Sequence, residues 1–283
     1  MHYERFAPSP TGKLHLGHAF SSLLVYHSTK KHNGKFYLRI EDLDSQRCKK
    51  EFEDSIFHDL KWLGIKWDKE PIRQSQRLNL YADIIEKLWQ KGIVYKCECT
   101  RKDISKTLHN FERNHNLSYD IYPGTCRRKT INHENYSVRL DIRKAIDSID
   151  NKDLFFFNKP NINAPFEMIN ISPNSLIRDF GDVIVARKDI KTSYHIAVVV
   201  DDSEQEITQV TRGYDLFKST FFHVLLQRLL NFNTPKYMHH KLLYDDDGKK
   251  LSKSIKSTSL ETLRRSGTKK EDLFKLLNFN LNV

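Results

Sequence analysis

The chain has few cysteines and no long apolar stretch. Four of its 283 residues are cysteine, too few for the dense framework of a disulfide-stapled secreted domain. The longest aliphatic run, residues 196–200, is far shorter than the ~20 apolar residues of a membrane-spanning helix. Residues 1–5 do not have the character of a signal peptide. We therefore expect a cytoplasmic protein with no membrane partner.

Acidic residues are also scarce relative to basic ones. Asp and Glu number 36 against 47 Lys and Arg, which gives a net charge of +11. An excess of this size favours polyanionic partners such as nucleic acid or nucleotides, although a generally lysine-rich surface would produce it too. Hydrophobic residues make up 39% of the chain, enough for a sizeable core shared by two or three units.

Short strands and helices alternate through the first part of the chain. The strands are predicted at 2–7 and 35–41, and the helices from near Gly17, at 51–63 and at 76–91. This order predicts an α/β fold built on a doubly wound, parallel, Rossmann-like sheet. Further along, the apolar run at 195–202 predicts a buried strand returning to that sheet, and 216–230 predicts an amphipathic helix.

The change in character near residue 94 predicts a second module. Cysteines, short strand-like runs and basic pairs replace the regular alternation there. We therefore divide the chain into two halves of a Rossmann-like domain (1–93 and 191–235), an inserted α+β module that contains the clustered cysteines (94–190), and a small helical tail (236–283).

The motif His15-Leu16-Gly17-His18 lies where a strand gives way to a helix. The first turn of a helix offers free N–H groups and the positive end of the helix dipole, so it binds phosphate. Gly17 has no side chain and would let a nucleotide approach closely. The alternative is a pair of surface histidines at a helix start.

A second basic motif, Lys250-Leu251-Ser252-Lys253-Ser254, lies near the other end of the chain. A loop of this kind can close over phosphates, with Lys253 set against charge that develops in the transition state. The alternative is a solvated basic loop, because Lys and Ser are abundant here.

Three cysteines are spaced as metal ligands. Cys97 and Cys99 are followed by Cys126, and zinc prefers four ligands in which sulfur is favoured. The fourth ligand must come from elsewhere, and His109 and His115 are available. An empty, reduced site is the alternative.

The two basic motifs, in this order, resemble the two signatures of class I aminoacyl-tRNA synthetases, with Leu251 where Met is usual. Four further stretches are similar to the glutamyl-type members of that family: residues 5–12, 39–44, 194–202 and 212–216.

This resemblance implies an enzyme that activates glutamate with ATP and Mg²⁺. The glutamate site would contain Arg5, Phe6, Ala7, Pro8, Ser9, Glu41, Tyr194 and Arg212. Arginines suit the two carboxylates and Glu41 the ammonium group. The ATP site would contain His15, Gly17, His18, Lys250, Ser252 and Lys253, of which His15, His18 and Lys253 would be catalytic.

The chain is similar to one short branch of that family. Only 29 residues follow Ser254, so the resemblance implies that 236–283 carries the second signature loop and a short stem-contacting unit, without an anticodon-reading domain. The stretch Gln74-Ser75-Gln76-Arg77 is also typical of the branch. Its members carry Cys-x-Cys followed by Tyr-x-x-x-Cys, which implies that Tyr122 completes a structural Zn²⁺ site with Cys97, Cys99 and Cys126. The 22 residues between Cys99 and Tyr122 are long for this pattern.

The resemblance to this branch implies an unusual acceptor. Its members attach glutamate to queuosine in the anticodon of tRNA(Asp), and not to a tRNA 3′ end. We expect ATP, L-glutamate and queuosine-bearing tRNA(Asp) as partners of a monomeric enzyme. An ordinary glutamyl-tRNA synthetase, a small-molecule adenylyltransferase and a catalytically dead RNA-binding paralogue are the alternatives.

Overall fold

The computed structural model describes residues 1–112, 121–150, 153–243 and 258–277. Within those ranges the chain forms ten strands: β1 (Tyr3–Phe6), β2 (Lys35–Ile40), β3 (Ile72–Arg73), β4 (Val94–Cys97), β5 (Ser137–Leu140), β6 (Leu154–Lys159), β7 (Glu167–Ile171), β8 (Ile184–Ala186), β9 (Gln209–Gly213) and β10 (Lys236–His240). The same ranges contain ten α-helices: α1 (Leu16–Lys31), α2 (Lys50–Trp62), α3 (Leu78–Gln90), α4 (Arg101–Glu112), α5 (Ile142–Asp147), α6 (Pro173–Asp179), α7 (Tyr194–Glu204), α8 (Phe217–Leu229), α9 (Leu260–Arg265) and α10 (Lys270–Leu276).

A parallel sheet forms the centre of the fold. Strand β2 pairs in parallel with β1 and β3, and β10 pairs in parallel with β9 and β6. The two groups meet where the backbone N–H of Thr208 donates to the carbonyl of Tyr3 at 2.9 Å. The resulting order, β3-β2-β1-β9-β10-β6, is that of a doubly wound nucleotide-binding sheet. The predicted parallel α/β class is therefore confirmed.

The helices predicted from apolar periodicity are present. The predictions at 51–63, 76–91 and 216–230 correspond to α2, α3 and α8. Helix α3 ends before Gly92, which has a φ of +66°. Glycine tolerates this left-handed backbone conformation, and a helix commonly ends with such a residue.

The strand predicted at 195–202 is wrong, because these residues form helix α7. Ser193 caps the helix by accepting a hydrogen bond from the backbone N–H of Ile196. Residues 196–202 are all buried, so the helix shows no polar face that periodicity could detect. A short apolar run buried on every side does not distinguish helix from strand.

Two strands of the central sheet come from outside the segments predicted to build it. β6, from the stretch 94–190, pairs with β10, and β10 itself comes from the stretch 236–283. β7 extends the sheet antiparallel to β6. A separate antiparallel sheet of β4, β5 and β8 lies within 94–190 and carries the cysteine cluster at the end of β4.

The short helices α9 and α10 pack against the first half of the catalytic core. The backbone N–H of Leu260 donates to the carbonyl of Leu14 at 2.8 Å. Lys13 is ion-paired with Glu261 at 2.9 Å, and Arg264 with the buried Asp59 at 3.3 Å. These contacts hold α9 beside the start of α1. None of the helices in the described ranges is both long and apolar enough to cross a membrane.

Candidate active site

A cavity of about 560 Å³ opens at the carboxyl ends of the central strands. Doubly wound sheets bind ligands at this edge. Its wall contains every predicted glutamate and ATP residue that the structure describes: Arg5, Phe6, Ala7, Pro8, Ser9, His15, Gly17, His18, Glu41, Tyr194 and Arg212. Lys250, Ser252 and Lys253 lie outside the described residues.

His15 and His18 cap helix α1 reciprocally. The Nδ1 atom of His15 accepts a hydrogen bond from Gly17 N at 3.1 Å, and Nδ1 of His18 accepts from His15 N at 3.2 Å. Since each Nδ1 is an acceptor, a neutral ring carries its proton on Nε2. The two rings, with centroids 3.8 Å apart, can therefore present donors to an anion at the start of the helix.

Because Gly17 has no side chain, the imidazole ring of His15 can lie directly beside it. A Cβ atom at this position would lie 2.9 Å from Cε1 and 3.1 Å from Nδ1 of His15. The glycine is therefore needed for the cap as well as for the open cavity wall.

Arg5 is ion-paired within the protein. Its Nε donates to Asp202 Oδ1 at 2.8 Å, and Arg39 NH2 donates to the same oxygen at 2.5 Å. Burial opposes ionisation of Asp202, but Arg5 and Arg39 outweigh it and lower the pKa of this carboxyl group. Asp202 is thus a buried carboxylate that fixes the orientation of Arg5 in the cavity wall.

Arg212 has a different environment. Its side chain is 6% exposed, and within the described ranges no carboxylate lies within ion-pairing distance of it. Its NH2 donates to Thr220 Oγ1 at 2.7 Å and its Nε to His239 Nε2 at 3.2 Å. A buried cation with only neutral partners favours an anionic ligand.

Three histidines near Arg212 are held in the neutral form. Burial, and then the charge of Arg212, lowers the pKa of His195 to about 4. Burial, Arg212 and His240 lower the pKa of His239 to about 2, and burial and Arg212 also lower that of His223. Arg212 therefore supplies the positive charge of this corner of the cavity.

Glu41 follows the end of β2 and faces the same cavity. Burial raises the pKa of its carboxyl group to about 7; Arg39 and Arg5 oppose this rise, and Asp202 and Asp201 add to it. Burial makes the negative charge of a carboxylate unfavourable, and a cationic ligand bound beside it stabilises that charge. Glu41 is therefore suited to an ammonium group.

A second cavity, of about 620 Å³, joins the first. The two share Ser9, Thr11, Glu41 and Tyr194. From this junction the second cavity extends between the central sheet and the module that contains β8, with arginines at positions 47, 139 and 187 in its wall. A second substrate can thus approach the reacting centre without passing through the first cavity.

The four predicted metal ligands lie together. The sulfur atoms of Cys97, Cys99 and Cys126 are all within 4.8 Å of one another. The phenol oxygen of Tyr122 lies 3.4 Å from Sγ of Cys97 and 3.6 Å from Sγ of Cys99. Zinc–ligand bonds in a tetrahedron place sulfurs about 3.8 Å apart and sulfur and oxygen about 3.5 Å apart, so the donor set fits a zinc ion.

The chemistry of Tyr122 also fits a metal-dependent role. Burial, followed by hydrogen bonds with Cys126 and Cys97, raises the pKa of its phenol. Arg139 stacks over the ring at 3.7 Å and donates to Cys97 Sγ at 3.3 Å. A nearby cation of this kind compensates for the negative charge of thiolate and phenolate ligands. The alternative ligands His109 and His115 fall outside the described side chains.

The described residues on either side of the second signature lie beside the first cavity. Leu243 lines its wall, and Ser259 forms an antiparallel bridge with His15.

Sequence reasoning missed several residues that support this site. Asp202 ends the stretch 194–202 that resembles the family, but no role was assigned to it, and Thr220 and His239 lie in no recognised motif. The cavity wall also contains residues that were not named as site residues: Thr11, Phe20, Ser21, Thr211, Gly213, Asp215, Leu216, His240, Lys241, Leu242 and Leu243. Their available signal is that several of them lie within, or next to, a stretch that resembles the family.

The fold and the cavity are those of a class I tRNA synthetase. The family model of tRNA synthetases class I (E and Q), catalytic domain, matches residues 3–280, and the chain belongs to this family. It is 43% identical over 276 residues to a protein of Rhodobacter capsulatus named glutamyl-Q tRNA(Asp) synthetase, covering 96% of this chain and 98% of that one.

Longer relatives are matched over about half their length. The chain is 38% identical over 276 residues to the glutamate–tRNA ligase of Hydrogenobaculum sp., of which it spans 57%. The crystal structure of glutamate–tRNA synthetase from Elizabethkingia anophelis superposes with a TM-score of 0.69 at 28% identity, covering 89% of this chain and 52% of that one.

Proposed function

We propose that this protein activates L-glutamate with ATP and transfers the glutamyl group to the queuosine base of tRNA(Asp). The Rhodobacter capsulatus relative, which is matched over 98% of its length, carries the name of this activity. The proposal depends on one structural observation: Arg212, which has no carboxylate partner among the described residues, and the carboxyl group of Glu41 line the same cavity.

Glutamate binding uses the charges of the first cavity. Arg212 and Arg5 bind the two carboxylates, and Glu41 accepts the ammonium group. Ser9 and Tyr194 add hydrogen bonds, and residues 6–8 form the backbone wall. The charges of glutamate are thus matched one by one, and a neutral side chain such as that of glutamine would leave Arg212 without an anion.

Activation takes place at the start of α1. An oxygen of the α-carboxylate attacks the α-phosphorus of ATP, and the bond to pyrophosphate breaks. His15 and His18 donate hydrogen bonds to the phosphates, while Gly17, Lys250 and Ser252 contribute to the ATP site. Lys253 offsets the charge that develops in the transition state, and Mg²⁺ carried with ATP neutralises part of the phosphate charge.

Transfer uses the second cavity. The modified base enters between the central sheet and the module of 94–190, and one of its ring hydroxyls attacks the activated carbonyl, with AMP as the leaving group. The arginines of this cavity and the tail 236–283 bind RNA phosphates, consistent with the net charge of +11. We propose a cytoplasmic monomer in which units 1–93 and 191–235, with the second signature loop of 236–283, carry the chemistry.

Cys97, Cys99, Tyr122 and Cys126 would hold one structural Zn²⁺. The ion would fix the end of β4 against the segment that contains Tyr122 and Cys126, on the same side as the second cavity. Its role is structural, because all four positions of a tetrahedron are taken by protein ligands.

Glutamate-dependent exchange of pyrophosphate into ATP, without tRNA, tests the activation step. The proposal predicts exchange with glutamate and not with glutamine. Exchange supported equally by both amino acids would contradict it, because the charges of the first cavity would then not select the substrate.

A further inference from the structure

Arg212 is held by a chain of hydrogen bonds that reaches across three strands of the sheet. Its Nε lies 3.2 Å from Nε2 of His239, and Nδ1 of the same ring lies 2.7 Å from Oδ1 of Asn158. Arg212 belongs to β9, His239 to β10 and Asn158 to β6. The chain therefore runs from the edge of the cavity into the part of the sheet contributed by 94–190.

The direction of each hydrogen bond in this chain is determined by the arginine. A guanidinium group carries only donors, so Nε2 of His239 must accept from Arg212. The proton of the neutral ring then resides on Nδ1, which donates to Oδ1 of Asn158. Asn158 thereby selects the tautomer that leaves Nε2 able to accept, in the way that a partner group orients other functional histidines.

The hydroxyl group of Thr220 completes the arrangement. Its oxygen accepts from Arg212 NH2 at 2.7 Å, lies 3.0 Å from His239 Nε2, and can donate its proton to the carbonyl of Leu216 at 3.5 Å. Arg212, His239 and Thr220 thus form a closed set in which every described partner of the cation is neutral. The ring of His239 is itself held by stacking on Tyr237 and by an edge contact with Phe217.

The remaining nitrogen of Arg212 is the least committed. Among the residues that the structure describes, NH1 makes only long contacts, 3.4 Å to the hydroxyl of Tyr194 and 3.5 Å to Nδ1 of His223. Both Arg212 and Tyr194 line the first cavity. Holding Nε and NH2 with neutral acceptors therefore leaves NH1, with undiminished positive charge, to bind a carboxylate.

We propose that His239, in the Nδ1-protonated form selected by Asn158, is a positioning residue that holds Arg212 without neutralising it and so determines the affinity of the site for glutamate. This inference rests on the proposed activation of glutamate. A carboxylate in the place of His239 would hold Arg212 equally well but would cancel the charge that the substrate needs.

The test compares two variants of the full-length protein, His239→Leu and His239→Gln, by glutamate-dependent pyrophosphate exchange. Gln can accept from Arg212 through its amide oxygen and donate to Asn158, whereas Leu can do neither. We expect the KM for glutamate to rise about 10- to 100-fold in His239→Leu, as for the loss of a hydrogen bond to a charged group, with less than about threefold change in kcat and in the KM for ATP. His239→Gln is expected to stay within about threefold of wild type in all three constants.

Two further measurements separate positioning from loss of folding. Asn158→Ala leaves the ring of His239 in place but no longer selects its Nδ1-protonated tautomer. We expect this variant to raise the KM for glutamate about three- to tenfold without changing the KM for ATP. In the ¹⁵N spectrum of histidine-labelled protein, the resonances that disappear in His239→Gln should show a protonated Nδ1 and an unprotonated Nε2.

Three outcomes would overturn the inference: an unchanged KM for glutamate in His239→Leu, equal impairment of the Gln and Leu variants, or a parallel rise in the KM values for glutamate and ATP. A wild-type protein without any glutamate-dependent exchange would instead overturn the proposed function, and this inference with it.

Discussion

Arg5 donates its Nε–H to Oδ1 of Asp202 at 2.8 Å, so one of the two arginines of the proposed glutamate site is ion-paired within the protein. The second arginine, Arg212, has only neutral partners among the described residues. The two cations therefore differ: the first is oriented and compensated, and the second is oriented and uncompensated. This asymmetry places the stronger attraction for an anion at Arg212.

Replacing Asp202 by Asn should destabilise the protein. The change leaves Arg5 and Arg39 buried with a neutral partner. Removing one charge of a buried ion pair lowers the free energy of unfolding by about 3 kcal/mol, because the other charge stays buried without compensation. Asp189, which pairs with Arg187 on the surface at nearly half exposure, provides the matched control. Asp189→Asn should lower the free energy of unfolding by less than about 0.5 kcal/mol, measured by urea unfolding. If the two substitutions lower the free energy of unfolding equally, the buried ion pairs of Asp202 do not stabilise the fold more than a surface pair does.

Glutamate affinity should decrease as the pH falls through 7. Burial raises the pKa of Glu41 to about 7, so the group is a carboxylate above this pH and a neutral acid below it. The neutral acid lacks the negative charge that attracts the ammonium group of glutamate, so the KM for glutamate should rise about tenfold per pH unit below 7. In Glu41→Gln the KM should be high at every pH. A KM that stays constant from pH 8 to pH 6 in the wild type would remove Glu41 from this role.

Gly17→Ala should impair catalysis without loss of folding. The added methyl group would lie 2.9 Å from Cε1 of His15 and would displace this ring, while alanine favours the helix more than glycine does. We expect kcat for pyrophosphate exchange to fall about 10- to 100-fold, as when one preorganised donor is lost. Ser21→Ala, also in α1 and beside the cavity, is the control and should retain kcat. Retention of kcat in Gly17→Ala would mean that the position of His15 does not limit the rate.

Purified protein should contain about one zinc ion per chain, bound by the cluster at Cys97, Cys99, Tyr122 and Cys126. Elemental analysis should find it absent in a Cys97→Ser, Cys126→Ser double variant. Tyr122→Phe keeps three thiols and should bind zinc about 10- to 100-fold more weakly, since a weakened ligand shell costs affinity of this order. Removal of the metal by a chelator should lower the melting temperature. Equal zinc content in the wild type and the double variant would place the metal elsewhere.

The sequence was informative where function depends on short motifs. His15, Gly17 and His18 are neighbours along the chain, and their helix-start position follows from the preceding strand. The cysteines are also recognisable from spacing, and they meet in space as expected. Spacing alone left alternatives for each of these motifs, and the resemblance to a known family decided between them.

The features of the fold and the site that could not be predicted depend on contacts between segments that are distant in the sequence. The chain of hydrogen bonds from Arg212 through His239 to Asn158 joins three strands whose neighbours in the sheet cannot be deduced from spacing alone. The same is true of β6, which lies in the central sheet although its sequence surroundings resemble an insert. Helix α7 was assigned as a strand because its β-branched residues favour strands, and its complete burial outweighs that propensity.

The transfer of radiolabelled glutamate, with ATP, to tRNA(Asp) that either carries or lacks queuosine tests the central claim most directly. The account predicts label on the queuosine-bearing tRNA and none on the unmodified one, and the label should remain with the anticodon fragment after ribonuclease cleavage of the tRNA. Label on tRNA(Glu) that remains with the 3′-terminal fragment would contradict the account and identify an ordinary glutamyl-tRNA synthetase activity.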